Sequence, residues 1–441
     1  MYLNDFKPYL YMTNDYGQHW TLLTDGSNGI PADQPMHVVR EDPEQEGLLY
    51  AGTLEGAYVS FDQGKHWQPL QQNLPATPVT DLKVHYGELL ASTMGRSFWI
   101  MDNVAPLRQI AASVKPQRSR TSDAPNEPGA VSQVGQVGQV GRVGQSVMVA
   151  SMQTPAPAAK AAAAPVARSA KPAIKPFDGS SVFLFTPSST YRMQYVASSG
   201  RPDLPEYPPV GARIDYYLPN PAGELKLEIL DAGGQVVRTF TSATPAAAPT
   251  GRGGGRRGGV PSTLPAKVGM NRFVWDLRYP GGPPSGGGEM EGGSSGSGPL
   301  VAPGSFKARL TAGGITRTEA FAVKIDPRVA KDGVTVLDLA EQAKLALKVR
   351  DRVAEARQLA QRVSQALEAG RGDRAKLQSI QDRLITKSGP YEDQMFIDQL
   401  ANVGREIGQA DQKVGASAYE RFNELVKEWT ALKAEAETVL R

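Results

Sequence analysis

At 441 residues the chain has room for about three domains, and 48 Lys and Arg against 45 Asp and Glu leave a net charge of only +3, which gives no general argument for a nucleic-acid partner. The absence of cysteine excludes disulfide frameworks, zinc–thiolate sites and thiol nucleophiles. All four histidines (His19, His37, His66 and His85) fall within the first 85 residues, so everything downstream must work without imidazole bases or ligands.

The opening segment, MYLNDFKPYLYM, lacks the basic start and long apolar core of a signal peptide. No apolar run anywhere reaches the length of a membrane span. Residues 1–107 read as short strands between turn residues. Tyr9–Thr13 and His19–Leu23 are expected to flank a first turn. Met36–Arg40, Leu48–Thr53, Ala57–Phe61 and His66–Leu70 make a four-stranded unit, and Val79–Val84, Glu88–Thr93 and Ser97–Asp102 begin another. Two stretches in this region share one pattern, Thr13–Trp20 (TNDYGQHW) and Ser60–Trp67 (SFDQGKHW), with Asp62 following Asp15 by 47 residues.

A turn motif at that period predicts β-propeller blades. A propeller closes with at least four of them, and about two fit here. In each copy the carboxylate of Asp15 or Asp62 is expected to accept backbone N–H groups just downstream. Gly17 and Gly64 supply a backbone conformation that a Cβ would oppose. Trp20 and Trp67 return on the next strand and are expected to bury a large face. This is the Asp-box, or BNR, hairpin, a folding device, and His19 and His66 are expected to be exposed turn residues in it.

Residues 108–180 change character. The period-three run Val134–Gly144 (VGQVGQVGRVG) and the Ala/Pro-rich Ala156–Pro165 offer no buried face, so this segment is expected to be a disordered linker. Strands return over 181–328, at Val182–Phe185, Ala212–Leu218, Leu225–Leu230, Val236–Phe240, Asn271–Leu277, Gly304–Ala312 and Ile315–Ile325. So many short strands suggest an antiparallel immunoglobulin- or fibronectin-like sandwich, interrupted by Gly/Pro-rich insertions near 243–263 and 280–300. The basic run Gly251–Arg257 in the first insertion has no interleaved aromatics and reads as a flexible loop rather than a nucleic-acid segment.

Residues 335–441 read as helical. Leu339, Ala343, Ala346, Val349, Val353, Ala356, Ala360, Val363 and Leu367 form a heptad-like stripe, broken at Gly370 and Gly372. Shorter helices follow near 373–386 and 391–409, and a last one near 416–440 carries Phe422, Leu425, Trp429 and Leu432. The expected arrangement is an antiparallel helical hairpin or small bundle. The whole is thus expected to be multidomain and mainly β with an α tail.

Several stretches in order resemble one family: large bacterial proteins with sortilin-like BNR propellers, often labelled glycosyl hydrolase or sialidase-like. They are Asp5–Tyr11 (DFKPYLY), Val39–Pro43 (VREDP), Leu48–Thr53 (LLYAGT), Tyr58–Trp67 (YVSFDQGKHW), Pro78–Val84 (PVTDLKV) and Gly95–Asp102 (GRSFWIMD), then Val210–Leu218, Ile229–Arg238, Asn271–Pro280 and Pro303–Leu310. The resemblance implies an exported, extracellular or periplasmic protein in which the propeller precedes the sandwich and the helices follow. It also implies that the chain starts within the last part of the propeller, with further blades upstream.

Sialidase chemistry uses a Tyr nucleophile and an arginine cluster that grips the substrate carboxylate. The Phe/Tyr-Arg-Ile-Pro motif of that class is missing, and Arg40 is only loosely similar to it. Glu41 and Asp42 are adjacent, so on a strand they point to opposite faces. Asp102, ending the last strand, is a candidate channel residue. Arg96 reads either as a clamp closing the last unit or as a ligand contact. No catalytic constellation, metal site or cofactor is expected. The reading is a non-catalytic structural or binding portion, with two alternatives: a sialidase-like hydrolase whose chemistry lies on upstream blades, or a peptide-binding propeller. Expected partners are the upstream blades, a protein or glycan ligand, and a second copy through the C-terminal helices, with no nucleic acid and no membrane span.

Overall fold

Alternating apolar residues build most of the strands. The computed structural model describes residues 5–114, 176–194, 210–221, 223–242, 263–281, 297–387 and 393–440. Among them the chain is mainly β, with six sheets and six helices.

Strands β1 (Leu10–Met12) and β2 (Thr21–Thr24) form a hairpin around the first Asp-box. Strands β3 (Met36–Glu41), β4 (Leu49–Thr53), β5 (Ala57–Ser60) and β6 (Gln68–Pro69) form an antiparallel meander, with the second box between β5 and β6. Strands β7 (Val79–His85), β8 (Glu88–Thr93) and β9 (Phe98–Met101) make a third sheet, with β9 at its edge.

The second and third sheets share a core of Leu48, Tyr50, Val59, Val79, Leu82 and Leu89. Their approach is tight at Gly52, where an added Cβ would lie 2.7 Å from a methyl of Val79 and 2.8 Å from one of Val38. The other face of the meander is covered by Ile30, which packs with Ala51, Tyr58 and Trp67.

Helix α1 (Ala105–Ser113) follows, with Pro106 in its first turn and Asn103 Oδ1 accepting the Ala105 N–H at 3.1 Å. It takes up residues that composition had assigned to the linker from 108. Long-range bonds hold it there. Gln109 donates to Thr186 O at 3.1 Å and accepts from Thr186 N at 2.8 Å, and Ser113 Oγ accepts from Phe177 N at 2.7 Å. The Val134–Gly144 and Ala156–Pro165 runs lie outside the described residues.

In the next region, β10 (Phe183–Leu184), β12 (Ala212–Leu218) and β15 (Gly269–Trp275) form one antiparallel sheet. A five-stranded sheet runs in the order β11 (Thr190–Arg192), β19 (Ile315–Ile325), β18 (Gly304–Ala312), β13 (Leu225–Leu230) and β14 (Val236–Thr241), with β11 parallel to β19. Their inward residues alternate along each strand: Ala212, Ile214, Tyr216 and Leu218 on β12; Leu225, Leu227 and Ile229 on β13; Phe306, Ala308, Leu310 and Ala312 on β18. Both sheets close on one core that includes the fully buried Phe273 and Trp275.

A hairpin of β16 (Arg278–Pro280) and β17 (Ser297–Leu300) occupies both ends of the expected 280–300 insertion. Residues 282–296 between them, and 243–262 of the first insertion, lie outside the described residues. Strands β11, β16 and β17 were not expected from the sequence.

Helix α2 (Pro327–Lys331), also unexpected, is capped by Asp326, which accepts the Arg328 N–H. Helix α3 (Val336–Glu368) starts in a capping box of Thr335 and Asp338. Helices α4 (Arg374–Leu384), α5 (Phe396–Gly408) and α6 (Ala416–Val439) pack with it on a core of Val349, Ala356, Val363, Ile380, Leu400 and Trp429. The predicted stripe on α3 is the buried face. Leu345 and Leu359 are buried beside it, because α3 is flanked by neighbours on more than one side.

Candidate functional site

The two Asp-boxes fold into the same hydrogen-bond network. In the first, the Thr13 hydroxyl donates to Asp15 Oδ1 at 2.9 Å and accepts from Gly17 N at 2.8 Å; Asp15 Oδ1 accepts from His19 N at 2.9 Å. In the second, Ser60, Asp62, Gly64 and His66 repeat these bonds at 2.9, 2.8 and 2.9 Å. The turn requires left-handed backbone at Gly17 (φ 90°) and Gly64 (φ 85°), and at Tyr16 and Gln63 before them.

His19 and His66 are exposed, as expected of turn residues, yet each ring Nδ1 meets its box carboxylate, at 2.5 and 2.6 Å. The His19 backbone N–H, then its ring, hold Asp15 below the ordinary carboxylate range. For Asp62 burial pushes the other way, but the ring and backbone N–H of His66 and the Ser60 hydroxyl outweigh it, and the carboxyl is again lowered. Both aspartates are thus kept ionised as turn acceptors.

The tryptophans differ. Trp67 is 3% exposed, but Trp20 is 61% exposed, which corrects the expectation that both bury. Trp67 lies under the segment Asn28–Ile30. Asn28 Nδ2 donates to the Leu23, Gly64 and Lys65 carbonyls at 2.8, 3.2 and 2.8 Å, and Gly29, at φ 118°, lies so close that a Cβ would sit 2.0 Å from Trp67 O. Among the described residues nothing covers Trp20 in this way. Its indole N–H donates to Gly17 O at 3.1 Å, whereas that of Trp67 is buried without a partner.

The other residues singled out in the sequence are dispersed. Arg40 ties β3 to β7, donating to Leu82 O at 3.1 Å and Asp81 at 2.7 Å. Glu41 accepts from Gly47 N. Asp42 is fully buried; it accepts two bonds from Arg108, at 2.9 and 3.0 Å, one from the Tyr50 hydroxyl and two from the backbone of Glu44 and Gln45. Burial, then the Asp42 charge, push the Tyr50 phenol up.

Asp102, the candidate channel residue, instead pairs with Arg213 at 2.6 Å and Arg272 at 2.7 Å, joining the third sheet to β12 and β15. Asp215 completes this network with Arg272 and Asn103. Arg96 is exposed, and among the described residues its guanidinium has no polar partner; its carbonyl accepts the Trp99 indole N–H at 2.8 Å.

The structure draws together a different set. A cleft of about 570 Å³ lies between the β16–β17 hairpin, α3 and α5. Small side chains on α3 (Ala343, Ala346 and Val349) leave the space, and Gly404 lets α5 come near, since a Cβ there would be 3.2 Å from Val349.

Four arginines line this cleft: Arg192 from β11, Arg278 from β16, Arg350 from α3 and Arg405 from α5. Arg192 is buried; it donates to Asp411 at 2.9 and 3.1 Å, to Gln342 Oε1 at 2.5 Å and to Val301 O at 3.0 Å. Burial lowers its guanidinium from the ordinary value, the Asp411 charge opposes that, and the nearby Arg278 charge adds to it. Arg350 donates to Asp351 and to Pro280 O. Among the described residues the Arg278 guanidinium donates only to Gly298 O, at 3.1 Å, and the Arg405 guanidinium is exposed with no polar partner.

Sequence reading missed this cleft because its arginines are far apart in the chain. The available signal was the run of small residues Ala343, Ala346, Val349 on α3, facing Gly404 and Gly408 on α5 and flanked by Arg350 and Arg405.

Comparison with protein-family models, with curated proteins and with solved structures finds no match to this chain. Among the described residues no group of three or more His, Asp or Glu is placed to hold a metal ion, and no helix is long and apolar enough to cross a membrane.

Proposed function

We propose that the chain is a non-catalytic binding or architectural portion of an exported Asp-box propeller protein of the sortilin-like kind. The observation that carries this is the pair of Asp-box networks with matching hydrogen bonds, in which both carboxylates are held by their own turns. Two acids singled out in the sequence are paired as well, Asp42 with Arg108 and Tyr50 and Asp102 with Arg213 and Arg272, so neither stands as a free carboxylate of the kind glycoside hydrolysis uses.

In this reading the first three sheets are propeller blades. The two sheets around Phe273 and Trp275 are an immunoglobulin- or fibronectin-type sandwich, and the helices brace it. The interaction surfaces are the exposed apolar side chains of two separate sheets: Tyr11, Trp20 and Leu22 on or beside β1–β2, and Phe98 and Ile100 on β9. Their occupants are further blades of the same Asp-box type, whose strands pair with these edges. The compartment, extracellular or periplasmic, comes from the resemblance alone.

The test is to incubate the full chain with a panel of chromogenic glycosides, sialosides included. The reading expects hydrolysis no faster than in buffer. Turnover that disappears in a variant of Arg40, Arg96 or Asp102 would overturn it.

A further inference from the structure

We infer that the cleft between β16–β17, α3 and α5 binds a small amphipathic anion, a carboxylate or phosphate headgroup on an apolar body. This goes beyond the proposed function and stands independently of it.

The argument begins with charge. Of the four arginines, Arg192 is offset by Asp411, and Arg350 faces the exposed Asp351. Among the described residues the guanidinium groups of Arg278 and Arg405 have no carboxylate partner, so the described lining of the cleft carries an excess of positive charge. A guanidinium that lines a concave site with donors to spare is suited to bidentate carboxylate or phosphate recognition.

The apolar floor supplies the second half. Ala346, Val349 and Val353 recur along one face of α3, opposed by Leu300 of β17 and Ala401 of α5. The volume falls within the roughly 300–1,000 Å³ of small-molecule sites, which combine such walls with a few fixed polar groups.

The last turn of α5 borders the cleft, and a helix C-terminus ordinarily repels anions. Here the Gln342 amide donates to the Ile407 and Ala410 carbonyls at 2.8 and 2.7 Å, which caps that end. Gln342 is itself held by Arg192, so the buried polar network prepares the site instead of competing for its ligand.

The experiment is calorimetric titration of the full chain with sodium octanoate, octyl phosphate, octylammonium chloride and inorganic phosphate. Octanoate or octyl phosphate should bind, and the tighter of the two identifies the headgroup. Octylammonium should not bind, and inorganic phosphate should bind at least about tenfold more weakly, because it leaves the apolar floor empty.

Arg278→Gln and Arg405→Gln should each weaken the octyl anion by at least about tenfold, the usual effect of losing a charged hydrogen bond. Ala346→Trp, which fills the floor, should abolish binding. Arg405 is exposed, so Arg405→Gln keeps the test valid should Arg278→Gln fail to fold. The inference is overturned by no binding of either octyl anion at millimolar concentration. It is equally overturned by octylammonium binding as tightly as octanoate, or by unchanged affinity in Arg405→Gln.

Discussion

Replacing the two Asp-box tryptophans one at a time separates the local fold of the motif from what covers it. Trp67 is 3% exposed and touches Ile30, Ala51 and Tyr58, whereas Trp20 is 61% exposed. Burial of a tryptophan removes up to about 250 Å² from water, worth roughly 6 kcal/mol at 25 cal/mol per Å² as an upper bound. Measured truncations of such residues cost about 3–5 kcal/mol.

The indole N–H of Trp67 is buried without a partner, a penalty of about 1–3 kcal/mol that truncation relieves. Trp67→Ala is therefore expected to cost about 3 kcal/mol. Trp20→Ala loses a side chain already mostly in water and one hydrogen bond to Gly17, and should cost about 1 kcal/mol or less. The assay is urea unfolding of each full-length variant, followed through the amide exchange of β4 and β5 so that only the first region is read. Equal costs for the two tryptophans would refute the claim that the Asn28–Ile30 segment, and not the box itself, gives Trp67 its burial.

Three other outcomes follow from the same geometry. Gly52→Ala should destabilise the first region by about 1–3 kcal/mol, seen in the same unfolding experiment, because its methyl would press against Val79 and Val38. Asp42→Asn should cost about 3 kcal/mol, since it leaves the Arg108 guanidinium largely buried with only the exposed Glu44 as a charge partner; a thermal melt unchanged from wild type would count against that bond network. The folded-state value of the Asp62 carboxyl is lowered, so the stability it contributes is present above the ordinary value of 3.8 and is lost as the pH falls through the lower folded value. The stability of the first region should therefore drop in that acid range, and Asp62→Asn should flatten the drop.

Strand positions were legible because period-two alternation is strong in Leu225–Leu230 and Phe306–Leu310, and because Asp-Ala-Gly-Gly at 231–234 marks the turn between β13 and β14. The long stripe from Leu339 to Leu367 likewise announced α3. What escaped was held by partners distant in sequence. Helix α1 has a composition close to that of the linker, and its Gln109 is fixed by Thr186, far along the chain. Strand β11 is three residues long and exists through parallel pairing with β19.

The same division applies to the sites. The Asp-box turns could be read from Asp15, Gly17, Asp62 and Gly64, since their bonds are local. That Trp20 stays exposed could not, because the motif does not encode what packs over it. The pairing of Asp102 with Arg213 and Arg272 could not be read either, because both arginines lie more than a hundred residues away. The cleft arginines come from four separate elements, and only the fold brings them together.

If the N-terminal sheets present open strands for pairing, as proposed, the outer edge of β9 is unprotected. Among the described residues this strand pairs only with β8, whereas β12 is bonded on both sides, by β10 and β15. Amide hydrogen exchange of the full chain should show the amides of Phe98–Met101 that do not face β8 exchanging near the free-peptide rate, while β12 stays protected. Protection of the whole of β9 equal to that of β12 would mean that its outer edge is already paired, and would overturn the proposal that it is open to a further blade.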